Sequence, residues 1–339
     1  MQESKNPIRW LLASLQLISC SIPALCQDRC VGFQEMVRST YNFKPSKLGD
    51  AERDAKSKAM DKVWSAVEAR LKELLPCLRA ALEDSKADPW FRFDGSSLLV
   101  KLDPSTPSKA IQVRGFLDVA LEDADLRTWV QTLSFRAAEG FDVSEGAVRW
   151  LNYSKARYFL PEHGAYEISQ ENGALFLLGC MDEAKALPVL LKIASDKNDK
   201  HLEFALRMLT TLATPEARQA LGKVDLKTVS ERARQNIQTA LTKPRLISPR
   251  KTAPKVTRAQ FVKAFENAVN GNWNPFDRLV EKVSDGEKDA IVVLKDEDLP
   301  LLRKVRRLRL SSCNQHSIEY YDDFTAILLT LTWKPDFVK

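Results

Sequence analysis

A chain of 339 residues suits two or three domains, and a composition 44% hydrophobic and 28% charged supports a folded core rather than a disordered chain. Only 12 glycines occur, about half the usual frequency, which disfavours folds built on Gly-rich turns and phosphate loops. The net charge of +6 is spread through interspersed acids and bases, not gathered into the basic face that nucleic-acid binding requires.

Residues 1–26 read as a secretory signal. Lys5 and Arg9 form a positive start, Trp10 to Ile18 an apolar core, and the uncharged run is short and contains Pro23. A bilayer-spanning helix needs about 20 apolar residues, so the pattern fits a cleaved signal better than an anchor. Two processing routes are open. Ala24-Leu25-Cys26 permits a cut before Gln27, giving a periplasmic or secreted protein. Leu17-Ile18-Ser19-Cys20 resembles a lipobox, in which Cys20 is lipidated and the product is an outer-membrane lipoprotein. Four cysteines remain after a cut at residue 27: Cys30, Cys77, Cys180 and Cys313. An oxidising compartment allows disulfides among them, with three connectivities and no pairing fixed by the sequence.

The elements then follow in order. Ala59, Met60, Val63, Trp64, Val67, Leu71, Leu74 and Leu75 recur at three and four, predicting a helix over 49–75 capped by Asp50, with a second from Pro76 to Leu82. Asp88-Pro89 breaks the pattern before Trp90, Phe91 and Phe93. Helices are expected near 107–121, over 125–139 with Gly140 as a left-handed terminator, and from Ser144 through Trp150. The aromatic stretch 153–167 reads as irregular. Residues 171–241 read as four helices: 172–178 ended by Gly179, 183–194, 201–213 stopped by Thr214-Pro215, and 227–241.

The segment 242–258 carries three prolines and six basic residues without an acid, the signature of a linker. A C-terminal helical unit over 259–339 is expected beyond it. Thr257 and Gln260 match a capping box, Gly271 and Gly286 end helices, Asn274-Pro275 starts one, and two more fit 298–312 and 317–333. There is no hairpin signal, and Ala290 to Leu294 reads as helix rather than strand.

An internal repeat underlies this pattern. Leu75-Pro-Cys-Leu78 is matched by Leu187-Pro-Val-Leu190, and Asp84 and Asp196 each stand nine residues after the leading leucine. The leucines bury one face, the aspartate ends that helix, and a second helix returns antiparallel. The stretch Ala174-Leu-Phe-Leu-Leu-Gly179, Ala186-Leu-Pro-Val-Leu190, Asp196, Ala205-Leu-Arg-Met-Leu209 resembles HEAT-type repeats of the phycobilisome-lyase form, clearest over 170–241, and the layout is similar to exported bacterial proteins carrying them. The resemblance implies an all-α fold, an irregular α-solenoid of antiparallel helix pairs over 27–241, and protein binding as the family's usual role.

No catalytic motif is present. His163, His201 and His316 are isolated, there is no metal-ligand spacing, and no nucleophile elbow or phosphate loop occurs. No cofactor, metal or catalytic residue is expected. The acidic pairs, Asp182 with Glu183 among them, read as helix-start acids complementing the dipole. Two weak binding candidates remain. Trp150, Tyr153 and Tyr158 could stack a sugar or anchor a peptide, though the plainer reading is core packing beneath an irregular segment. Arg303, Lys304, Arg306, Arg307 and Arg309, beside an apolar face of Leu301, Val305 and Leu308, could meet anionic lipid or an acidic partner. The plainer reading of the second set is a surface helix facing Glu297, Asp298, Asp322 and Asp323. The expectation is therefore a non-enzymatic, exported scaffold that binds another protein. An enzyme or accessory domain acting on envelope glycans, and a membrane-peripheral scaffold held by Cys20 or the basic helix, are the alternatives.

Overall fold

The computed structural model describes residues 30, 32–33, 49–160, 166–242, 252–282 and 286–333. The expected signal and Cys20 lie outside these, as does most of the segment 242–258. The fold is all-α: among the described residues there are sixteen α-helices and one short β-ribbon. The chain divides into two compact units, Met1–Ala124 and Asp125–Lys339.

The first unit holds α1 (Asp50–Ala69), α2 (Leu71–Glu83), α3 (Pro89–Leu102) and α4 (Thr106–Asp118). The stripe expected to run unbroken to Leu75 is interrupted at Arg70, whose non-helical backbone (φ -122, ψ 35) makes a turn between α1 and α2. Gly49, not Asp50, takes the cap position of α1. Asp88 caps α3 by accepting from the amides of Trp90 and Phe91, with Pro89 pre-set for the first turn. Val63, Val67, Leu74, Leu78, Phe91 and Leu99 form the core. Trp64 lies beside it and donates from Nε1 to Asp94 at 3.1 Å. Cys30 and Phe33 join this core, and Cys30 is disulfide-bonded to Cys77 on α2.

The second unit begins with α5 (Leu126–Ala138), α6 (Ser144–Asn152), β1 (Tyr158–Leu160), β2 (Tyr166–Ile168) and α7 (Gln170–Cys180). Gly140 terminates α5 with φ +100, as its position requires. The two strands pair antiparallel with Phe159 opposite Glu167, so the stretch read as irregular contains a small ribbon. Its signal was the β-favouring Tyr-Phe-Leu and Tyr-Glu-Ile on either side of Pro161 and Gly164.

Next come α8 (Glu183–Ser195), α9 (Leu202–Leu212), α10 (Pro215–Gly222) and α11 (Glu231–Thr242). These, with α7, make five helices where four were expected. Thr214-Pro215 does stop α9, but it also starts α10, the threonine Oγ1 accepting from the Ala217 amide. Gly179 does not end α7 but lies inside it. A Cβ there would stand 2.6 Å from Leu310 Cδ2, so the glycine is required by close approach rather than by a turn.

The C-terminal helices are α12 (Arg258–Val269), α13 (Asn274–Lys282), α14 (Gly286–Val293), α15 (Leu299–Leu310) and α16 (Gln315–Thr332). Thr257 and Gln260 form the expected capping box. Gly271, at φ +85, follows the end of α12, whereas Gly286 opens α14 rather than closing a helix. Phe261, Phe265, Phe276, Leu302, Phe324 and Leu328 make their core, which also takes in Ala213 from the end of α9. The segment 242–258 thus falls within the second unit, and the helices after it pack with those before it. A buried charge cluster between α8 and α15 lies at this junction.

Candidate functional site

The basic helix α15 is largely turned inward. Arg306 is 1% exposed, which rotates the buried face to Leu302, Val305, Arg306 and Leu310, leaving Leu301 and Leu308 half-buried. Its acidic partner is Glu183, the first residue of α8. Arg306 Nη2 donates to Glu183 Oε1 at 2.9 Å and Arg307 Nη1 to Oε2 at 2.8 Å. Arg303 Nη1 stands 3.2 Å from Oε1, and Arg307 also meets Asp182 at 2.9 Å.

The remaining donors cap the carboxyl end of α9. Arg303 reaches the carbonyls of Leu212 and Ala213, and Arg306 reaches that of Thr211. These carbonyls carry the partial negative charge of the helix end, so guanidinium groups suit them. Arg306 also lies over the Tyr321 ring at 4.7 Å. Burial would raise the Glu183 carboxyl, but Arg306, Arg307 and Arg303 together hold it below the ordinary value.

Arg309 is stacked between Trp273 at 4.9 Å and Tyr320 at 4.3 Å, so of the five cations only Lys304 is fully exposed. Of the acids expected to face this helix, Glu297 and Asp298 both pair with Arg258. Glu183 does stand at a helix start, as expected, but that reading left out its burial and its three arginine partners. The available signal was its spacing, since Glu183, Ala186 and Leu190 share the buried face of α8.

The aromatic candidates divide. Trp150 is fully buried, stacks on Trp129 at 5.9 Å and donates from Nε1 to the Gln170 carbonyl at 2.9 Å. Its faces are therefore closed to a surface ligand. Tyr153 is half-buried at the end of α6, and the side chain of Tyr158 lies outside the described residues. Cys180 and Cys313 are buried free thiols. Burial pushes the Cys180 thiol well up and that of Cys313 to about 12, far from the nucleophilic range. Among the described residues, no group of three His, Cys, Asp or Glu could hold a metal, and no helix is long and apolar enough to cross a membrane.

What the sequence candidates left out is a trough between α6 and α8. It has a volume of about 720 Å³, and Asp196, Asp199 and His201 from the turn after α8 are part of its lining. Val148 and Leu151 come from α6, and Val189 and Ile193 from α8. Spacings of three and four put each pair on one helix face. Val148 is 40% exposed, unusual for a valine flanked by apolar neighbours. Glu145, Arg149, Lys192, Asp196 and Asp199 supply a charged rim. His201 also lines the trough, and its Nε2 is buried with no hydrogen-bond partner. An apolar floor with a polar rim is the anatomy of a recognition surface. Comparison with protein-family models, curated proteins and solved structures finds no match.

Proposed function

We propose that this chain is an exported scaffold of antiparallel helix pairs that binds another protein through the trough between α6 and α8. The observation that carries this reading is the partly exposed apolar face of Val148, Val189 and Ile193 over buried Leu151, bounded by charged side chains. A floor of this kind gains roughly 25 cal/mol for each Å² of apolar surface that a partner covers. The Cys30–Cys77 disulfide supports export, because such bonds persist in oxidising compartments. The resemblance of 170–241 to HEAT-type repeats supports protein binding. A glycan-binding reading, which rested on the aromatic segment 150–166 and the acids around it, loses Trp150, whose side chain is fully buried against Trp129.

The test is a photo-crosslinking residue placed at Val148, with a control at exposed Lys304, in the native protein in whole cells. Crosslinked material is purified and identified by mass spectrometry. A protein captured in abundance from position 148 and not from 304 is the expected result. Equal, sparse capture at both positions removes the trough as the binding surface.

A further inference from the structure

We infer that the occupant of the trough is an amphipathic helix of another protein that directs an arginine or lysine at the part lined by Asp196, Asp199 and His201, in the turn after α8. This rests on the docking reading above and specifies the partner's chemistry. The trough follows α6 for about eight residues, or about 12 Å, the length of two helical turns. Its walls are themselves helices, and an apolar stripe at i, i+3 or i+4, and i+7 matches that length.

This part of the trough is biased toward a cation by three features. It is the carboxyl end of α8, where the helix dipole is negative. Two carboxylates line it, each using one oxygen to cap the turn: Asp196 Oδ1 accepts from the Asn198 amide at 2.9 Å, and Asp199 Oδ1 from the His201 amide at 2.7 Å. The other oxygen of each can take a further donor. Finally, His201 Nε2 is buried and unpartnered; in the neutral ring it can accept a hydrogen bond from an incoming guanidinium or ammonium. Lys197 and Lys200 belong to the same turn but do not line the trough, whereas Lys192 does, in the α8 wall. There it suits an acidic residue on the partner's flank.

The experiment is selection of a displayed library of random 16-residue peptides against the full chain, followed by affinity measurement on synthesised winners. Val148→Asp tests the floor. Asp196→Asn with Asp199→Asn tests the charge, since asparagine keeps the oxygen that caps each turn. Circular dichroism confirms that both variants fold. The expected winners are amphipathic with a basic residue near one end, lose binding to V148D, and weaken roughly tenfold against the double Asn variant, the scale of one charge-assisted hydrogen bond. Winners sensitive to V148D but indifferent to the Asn substitutions, or bearing an acid at that end, overturn the charge assignment and leave docking standing. If no peptide is sensitive to V148D, the docking reading falls and this inference falls with it.

Discussion

Replacing Glu183 by alanine removes the one carboxylate shared by Arg303, Arg306 and Arg307. Two hydrogen bonds under 3 Å are lost, each between charged groups. At roughly 1.5–3 kcal/mol apiece, the loss is about 3–6 kcal/mol, in line with the 3–5 kcal/mol typical of breaking a buried ion pair. The lower end is expected. Arg306 keeps the Thr211 carbonyl and Thr325 Oγ1, Arg303 keeps two carbonyls, and Arg307 keeps Asp182, so none is stranded outright. Glu183→Gln retains one acceptor oxygen and falls between the two.

The pH dependence has a definite sign. The folded carboxyl is more acidic than the unfolded one, whose ordinary value is 4.5. The unfolded state therefore binds the proton first, and the stabilisation is present above that value. It is lost as pH falls through the lower folded value. Hydrogen exchange read on α15 peptides, across pH 3 to 7, measures both effects. A loss below about 1 kcal/mol, the scale of an exposed ion pair, or an acid limb unchanged in Glu183→Gln, would refute the reasoning.

Three further outcomes follow from the packing. The Cys30–Cys77 bond closes a separation of 47 residues, so replacing both by serine costs about 4 kcal/mol on a chain-entropy account, read as a lower urea midpoint for the first unit alone. Gly179→Ala places a methyl 2.6 Å from Leu310 Cδ2; despite better helix propensity, about 1–3 kcal/mol of net destabilisation is expected in denaturant titration. Cys180 and Cys313, buried with raised thiol values, resist alkylation in the folded protein at pH 8 and label fully once it is denatured, as mass shifts report.

What the sequence made legible was mostly local. The two copies of the Leu-Pro motif take the same form: Pro76 and Pro188 are each the sixth residue of a 13-residue helix. Asp84 and Asp196 each follow that helix and accept the amide two residues on at 2.9 Å. These features depend on neighbours in the chain, so a pattern of leucines, prolines and aspartates suffices to read them. Gly179 was misread because its meaning depends on Leu310, 131 positions later, and a glycine allowing close approach looks in sequence like one that ends a helix.

Glu183 and Arg306 failed in the same manner and matter more for function. Each was read against its sequence neighbours, and each is satisfied across 123 positions. Once that pairing is made, four of the five cations of α15 cease to be a surface, leaving Lys304 exposed. Arg303, Arg306 and Arg307 are spent on Glu183 and the end of α9, and Arg309 on Trp273 and Tyr320. The trough has the opposite history. None of Val148, Leu151, Val189 and Ile193 is conspicuous, because each completes an ordinary amphipathic helix. Only the packing of α6 beside α8 reveals that their shared face is left partly open. Charge that sequence displays prominently is thus mostly consumed inside the fold, while the trough proposed to take a partner is lined by residues that sequence assigns to the core.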